Sequence, residues 1–403
     1  MPVFDSRRRH LIWDTNLQVV FAVTLMAVLG VSSITPVLPS VAAVFDRTPQ
    51  SVAWVIAIFT LPGAVFTPVA GVLGDRVGRK AVLIPCLVVF AVAGTACGFA
   101  RSYEALLFFR FLQGTGAAAL GAINVTLIGD LFSRQQRAAA MGYNAAVLSV
   151  GTGIYPAVGG GLALMAWYYP FFLPVVAVPV ALAVLFVLDN PEPEVKGSLR
   201  EYVSVTLKSV WQPQVLILFA ISVLTFILIY GPFLTYLPFL LERSFGATPA
   251  MIGLVVAGTS VSTAIASYWL GPLSERFGTR ALVVFAFLLY AISLAGMPLA
   301  PSIPILAIPI LIFGFANGLN IPSFLVILTG FAPLEYRAAF MSLNGMVLRL
   351  GQTLGPVLAG FVVVLVGIEG SFYVGAVLAL VVFGALLLWM RPETAGSEQL
   401  ETG

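Results

Sequence analysis

Long apolar runs broken by short polar joints repeat along almost the whole chain. A helix needs about 20 apolar residues to cross the hydrocarbon core of a bilayer. The pattern predicts twelve such helices, over 17–41, 51–73, 81–99, 104–130, 138–163, 168–188, 214–241, 250–272, 281–299, 302–329, 338–366 and 370–390. Several runs are longer than a straight crossing needs, which accommodates tilt or bends. Pro36, Pro62, Pro156, Pro322 and Pro356 fall inside them, where a missing N–H predicts kinks. The first run follows Arg7, Arg8 and Arg9 and leads into Pro36 and Pro39 without a small-residue cleavage site, so it reads as a retained helix. The longest polar joint, 189–213, holds Pro191, Pro193, Lys196, Arg200 and Lys208. It predicts an N-terminal six-helix bundle over 1–188, a linker over 189–213 with a short helix near 198–211, and a C-terminal bundle over 214–403. The tail from Pro392 is polar and expected to fray.

Composition explains why the runs need a bilayer. The chain is 60% hydrophobic and 9% charged, against about 25% charged residues in soluble domains, so a water-soluble fold of this length would lack a solvating surface. The formal charge of +3 is too small to indicate nucleic acid. The placement of the charges is more informative. Arg76, Arg79, Lys80, Arg134, Arg137, Lys196, Arg200, Lys208, Arg276, Arg280, Arg337 and Arg391 share one side with the N-terminal arginines, whereas the other side holds Arg47, Arg101 and Arg243. The positive-inside rule then places both termini in the cytoplasm, and a plasma (inner) membrane location is expected.

The candidate chemistry is sparse. Cys86 and Cys97 share one apolar run and read as buried thiols; His10 is the only histidine. No His/Cys metal cluster, no His-based triad and no phosphate-binding G-x-x-x-x-G-K-[ST] loop is present in the sequence. No cofactor and no enzymatic activity are expected. Movement of a solute would run on a gradient or on a partner's ATPase.

The chain also repeats itself at an offset of 200 residues. Gly71–Lys80 aligns with Gly271–Arg280, and 137–160 aligns with 337–360, matching Arg137/Arg337, Asn144/Asn344, Gly151/Gly351, Pro156/Pro356 and Gly160/Gly360. Six helices per copy keep the copies in the same orientation, so the repeat is parallel, about an axis along the membrane normal. Such a pair encloses a site near the midplane that is exposed alternately to the two sides.

Four motifs carry a family resemblance. G-x-L-a-D-R-x-G-R-K stands in full at Gly71–Lys80. L-x-x-x-R-x-x-Q-G-x-G-a-a appears as Leu106, Arg110, Gln113, Gly114, Gly116, Ala117 and Ala118. L-G-x5-P-V-x-P appears as Leu29, Gly30, Pro36, Val37 and Pro39. G-x-x-x-G-P-x-x-G-G-x-L appears as Gly151, Pro156, Gly159, Gly160 and Leu162, with Tyr155 where the pattern has Gly. Over nearly its whole length the chain resembles the major facilitator superfamily, in its twelve-helix drug:proton antiporter branch. The resemblance implies an all-α integral membrane fold of two parallel six-helix repeats. It also implies a cytoplasmic gate latch built from Gly71, Asp75, Arg76, Gly78, Arg79, Lys80 and Asp130, with Arg79 and Asp130 paired. The helix-packing motif Gly151, Pro156, Gly159, Gly160 is expected to join the fifth helix to the eighth. Read without the resemblance, the loop glycines permit a tight turn and the basic residues anchor topology.

Two arginines lie inside spans. Arg110 is about 10 Å below the end of its run at 1.5 Å per residue. It either influences proton transfer or substrate, as the resemblance implies, or snorkels to the interface. Arg349 lies about 18 Å beyond Arg337, near the midplane, where an ionisable residue marks a functional site by default; the alternative is an arginine satisfied by helix carbonyls. No Asp or Glu lies at comparable depth; Asp14, Asp46, Glu104 and Asp130 sit at span ends. The cavity is therefore expected to favour neutral, zwitterionic or anionic amphiphiles over cations. With the first, fourth, seventh and tenth helices lining the cavity, as the family architecture implies, Gln113, Asn124, Tyr230, Tyr236, Asn317 and Asn320 are candidate substrate contacts, joined by Tyr155 and the two arginines. The expected activity is secondary efflux of hydrophobic or amphiphilic small molecules, coupled to protons, by a monomer in the lipid bilayer. The alternatives are an exporter or facilitator dedicated to one metabolite and a non-transporting sensor on the same fold.

Overall fold

A computed structural model describes residues 11–189, 212–331 and 337–389; the side chains of Asp75, Arg134, Gln135, Ala138, 337–342 and Trp389 are also outside the description. The expected linker helix, the N-terminal arginines and the polar tail lie outside the described residues. Among the described residues every regular element is helical. We number the spans α1 (Thr15–Val44), α2 (Trp54–Val77), α3 (Arg79–Cys97), α4 (Tyr103–Leu131), α5 (Arg134–Ala163), α6 (Tyr169–Phe186), α7 (Pro213–Phe245), α8 (Pro249–Tyr268), α9 (Thr279–Gly296), α10 (Ile303–Gly330), α11 (337–366) and α12 (368–389). The last two form one continuous run, Arg337–Trp389, broken at Gly367.

The repeat extends to the residues that start and stop helices. Thr48 and Thr248 cap at the same position in each copy, each followed by a proline in the first turn. Ser102 accepts from the Ala105 amide at the start of α4, and Ser302 precedes α10. Gly78 (φ 98°) and Gly278 (φ 80°) make the turns before α3 and α9, in backbone open essentially only to glycine. Gly367 (φ 78°, ψ 177°) does the same between α11 and α12. Replacing any of these three by Ala is expected to cost about 1–3 kcal/mol, read as a lower unfolding midpoint in detergent. Gly121→Ala, where a methyl meets open space, is the control that leaves the midpoint in place.

Proline acts less uniformly than its position in the sequence suggests. Pro36 sits in a 3₁₀ turn, Thr35–Val37, that interrupts α1. Pro62, Pro156, Pro322 and Pro356 are carried inside continuous helix. The further irregularities are elsewhere. α6 begins as 3₁₀ helix over Tyr169–Val176, where Pro170 and Pro174 remove donors. α7 contains a π-helical stretch, Ile229–Tyr236, around Pro232, and Thr235 Oγ1 donates to the Tyr230 carbonyl at 2.6 Å. Beyond Trp269, α8 continues as Leu270–Phe277, carrying the polar Ser274, Glu275 and Arg276 past the apolar core.

Within the first half α4 packs on α2 and α3, and α1 packs on α4 and α5; in the second half α10 packs on α8 and α9, α11 packs on α7 at Gly351 and Gly355, and α12 meets α9 at Gly375 and Leu294. The halves meet along two seams, α5 against α8 and α2 against α11.

Candidate functional site

Small residues bring the α5–α8 seam to backbone contact. A Cβ on Gly160 would run into the Pro249 carbonyl, and one on Gly253 into the Pro156 carbonyl. Further along, Thr152 and Ser260 hydroxyls are 3.4 Å apart. Gly159, beside Gly160, lies on the Ser33 carbonyl of α1, and Gly151 fits between Leu25 and Val28. The packing motif thus holds α5 to α1 and α8 together, with Pro156 supplying one of the contacted carbonyls. Tyr155 is half-buried on the neighbouring face, its ring near Gly151.

The α2–α11 seam is built differently. Thr60 and Thr353 share a hydrogen bond of 2.9 Å across it. One turn on, Gly63 faces the stem of Arg349, and beyond that Thr67 faces Gly345. Thr60 and Ser260 occupy the same position in the two copies, so both seams carry a hydroxyl clasp at equivalent depth.

Arg349 therefore lies between the halves. It is half-buried, and its Nη1 donates to Gln352 Oε1 at 3.0 Å. Tyr230 of α7 is its electrostatic neighbour. Gln352 and Thr353 are buried beside it. No carboxylate pairs with it among the described residues.

Arg110 has a different environment. It is 0% exposed, which removes the snorkelling alternative. Its Nε donates to the Val55 carbonyl at 3.0 Å, and Nη1 donates to the Gly30 carbonyl at 2.9 Å and to Gln113 Oε1 at 2.7 Å. Its guanidinium lies over the Phe59 ring at 4.2 Å. The Gly30 carbonyl is available because α1 tightens just beyond it: the Ile34 amide turns to Val31 instead. One side chain on α4 thereby ties α1, α2 and α4.

The remaining candidates fall into matching clusters. Asn124 of α4 donates to Thr24 of α1, which donates to Asn144 of α5. In the second half Asn320 of α10 donates to Thr225 of α7 at 3.1 Å, and Tyr290 of α9 donates to Asn317 at 2.6 Å while lying 3.5 Å from the Asn320 amide. Tyr236 is 0% exposed, and its hydroxyl is close to Gly360. Thus Arg349, Gln352 and Tyr230 come together at the α2–α11 seam, whereas Arg110 with Gln113, Asn124, and Asn317 with Asn320 each sit inside one half. Thr24, Thr60, Gly63, Thr225, Tyr290 and Thr353 are parts of these constellations that motif reading missed. Threonine, tyrosine and glycine are ordinary in apolar spans, and the alternation of seams was their only signal.

At the loop motif, Arg79 Nε and Asp130 Oδ2 are 3.1 Å apart. Gly74 leaves room beside Arg79, where a Cβ would be 3.2 Å from Nη1. Lys80 donates to the Leu185 carbonyl at 3.3 Å, and Arg76 is exposed. Gly71 lies within α2, and the Asp75 side chain is outside the description. Of the other acidic span-end residues, Asp14 caps α1 through the Asn16 and Leu17 amides, and Glu104 pairs with Arg47 at 2.7 Å.

A model of the Major Facilitator Superfamily matches residues 20–244 and 233–402. Multidrug resistance protein 1 of Bacillus subtilis is 26% identical over 389 residues, which cover 94% of this chain and 97% of that protein. Multidrug resistance protein 2 of the same organism is 24% identical over 372 residues, covering 90% and 92%. Among solved structures, the nucleoside transporter NupG superposes with a TM-score of 0.78 at 13% identity, covering 94% of this chain and 100% of that one. The human organic anion transporter MFSD10 gives 0.72 at 19%, covering 92% and 99%. These two likenesses concern the fold.

Proposed function

The chain belongs to the Major Facilitator Superfamily, and from that premise we propose that it is a secondary efflux transporter for several hydrophobic or amphiphilic small molecules, exchanging them for protons by rocking of its two halves. Its similarity to the two multidrug resistance proteins of Bacillus subtilis supports efflux of more than one compound. The observation that carries the substrate class is Arg349, a half-buried cation in the seam between halves whose guanidinium donates to the amide oxygen of Gln352. In a low-dielectric site such a charge favours an anionic or strongly polar group and disfavours a cation. Neutral, zwitterionic and anionic amphiphiles are thus the proposed substrates, with Gln352 and Tyr230 beside the bound group and the clusters around Asn124 and Asn320 keeping each half rigid. Arg79 and Asp130 act in this reading as part of the latch on the side of the termini. The basic loops support a cytoplasmic position for that side, and an inner-membrane location belongs to the same reading. The proposed domain division is an N-terminal bundle over 1–188, a linker over 189–213 and a C-terminal bundle over 214–403, supported by the 200-residue repeat.

The test is proton flux and solute movement in proteoliposomes under an imposed pH gradient, with cationic, neutral and anionic amphiphiles. Protons are expected to move with neutral and anionic compounds, and Arg349→Ala is expected to remove the anionic response. Preference for permanent cations would overturn the substrate class. Solute movement without protons would replace antiport by facilitated export. That second reading has its own support, because Asp14, Glu104 and Asp130 are each engaged locally rather than placed at mid-span.

A further inference from the structure

The stem of Arg349 crosses the seam through a gap that exists because residue 63, on the opposite half, has no side chain. A Cβ built on Gly63 would lie 2.9 Å from Arg349 Cδ, 3.1 Å from Cγ and 3.2 Å from Nε. Those are the middle of the side chain, so a methyl there displaces the guanidinium rather than only its tip. The neighbouring contacts along the two helices are looser or polar: Thr60 and Thr353 hydrogen-bond, and a Cβ on Gly345 would meet Thr67 Cγ2 at an ordinary 3.5 Å. Only at position 63, among these three levels, is close approach to a charged stem required. Gly63 is buried, and it is one turn beyond the clasp that joins the halves.

We propose that Gly63 is a positioning residue for charge selection: its bare backbone is the notch that holds Arg349 across the seam, so that the preference for an anionic group depends on both halves together. The inference rests on the substrate reading above. Rocking of α2 against α11 changes the notch and therefore the direction in which the guanidinium points. The binding strength for an anionic head group is in this way tied to the relative position of the halves, which is what differential affinity between two states requires. A neutral head group on the same tail does not sense it.

The experiment compares two amphiphiles with one tail, one carboxylated and one amidated, in proteoliposomes containing wild type, Gly63→Ala, Gly345→Ala, Arg349→Ala and Gly63→Ala/Arg349→Ala. Gly63→Ala is expected to raise KM for the carboxylate about tenfold, the loss of one charge-assisted hydrogen bond, with KM for the amide changed less than about twofold and Gly345→Ala resembling wild type. In the Arg349→Ala background, where the Cγ and Cδ that crowd position 63 are gone, Gly63→Ala is expected to change neither KM. Equal loss for both compounds, or a Gly63→Ala effect that persists without Arg349, would reduce Gly63 to seam packing and overturn the proposal. Should Gly63→Ala fail to fold, folding restored by Arg349→Ala supports the notch, and failure of both variants overturns it. If Arg349→Ala itself leaves the carboxylate KM unchanged, the substrate reading falls; if Arg349→Ala raises it and Gly63→Ala does not, only the notch falls.

Discussion

Arg110→Ala is expected to destabilise the first half by about 3–5 kcal/mol, the range for removing one partner of a buried charged network. The guanidinium supplies donors to the Gly30 and Val55 carbonyls and to Gln113 Oε1 at once, and each bond from a charged donor contributes about 1.5–3 kcal/mol. In hydrocarbon no water replaces it, so the Gly30 carbonyl and the Gln113 amide oxygen are left without a donor. The Ala variant also leaves a cavity against Phe59. Arg110→Lys is expected to recover less than half of the loss, since a point-like ammonium cannot reach three acceptors on three helices and lies less well on a ring. The measurement is the unfolding midpoint in detergent together with the monodisperse fraction on size exclusion. Unchanged stability with lost proton flux would remove the structural account and favour the role in proton transfer that the motif implies.

The second large effect is expected at the α5–α8 seam. Gly160→Val and Gly253→Val each insert a branched side chain where a single Cβ already enters a backbone carbonyl. The carbonyl belongs to a helix, so the whole element must shift. Overpacking of this kind costs about 1–3 kcal/mol per site, and the two sites share one interface, so the double variant is expected to be less than additive. Transport is expected to fall more steeply than stability, because both states of a rocking pair need this seam. Gly360→Ala is the informative comparison: its nearest neighbour is the Tyr236 hydroxyl, 3.0 Å from the added Cβ, and a tyrosine tip yields more easily than a main-chain carbonyl. Gly142→Ala, facing open space on α5, should leave both readouts near wild type. Equal tolerance of Val at 142, 160 and 253 would mean that close backbone approach is not what joins α5 to α8.

Much of the architecture was legible before any coordinates. Hydrocarbon thickness sets span length, so each run of apolar residues announced a helix, and the 200-residue repeat announced two halves in one orientation. The same repeat reappears in the caps at Thr48 and Thr248 and in the left-handed turns at Gly78 and Gly278. Pro62 and Pro356 stay inside continuous helix, whereas the π-helical stretch of α7 has no pattern that apolar periodicity reveals.

Residue identity alone determined that this chain spans a membrane, that its halves are parallel and that Arg110 and Arg349 stand where a charge is costly, because these follow from transfer energies and spacing along one chain. Only the tertiary structure decided how the two arginines differ. Arg110 is spent on carbonyls of its own half, one of them free because the Ile34 amide turns to Val31, whereas Arg349 reaches into the seam through the space left by Gly63. Both distinctions depend on which backbone lies across from the side chain, and that is set by helix-to-helix approach between residues far apart in sequence.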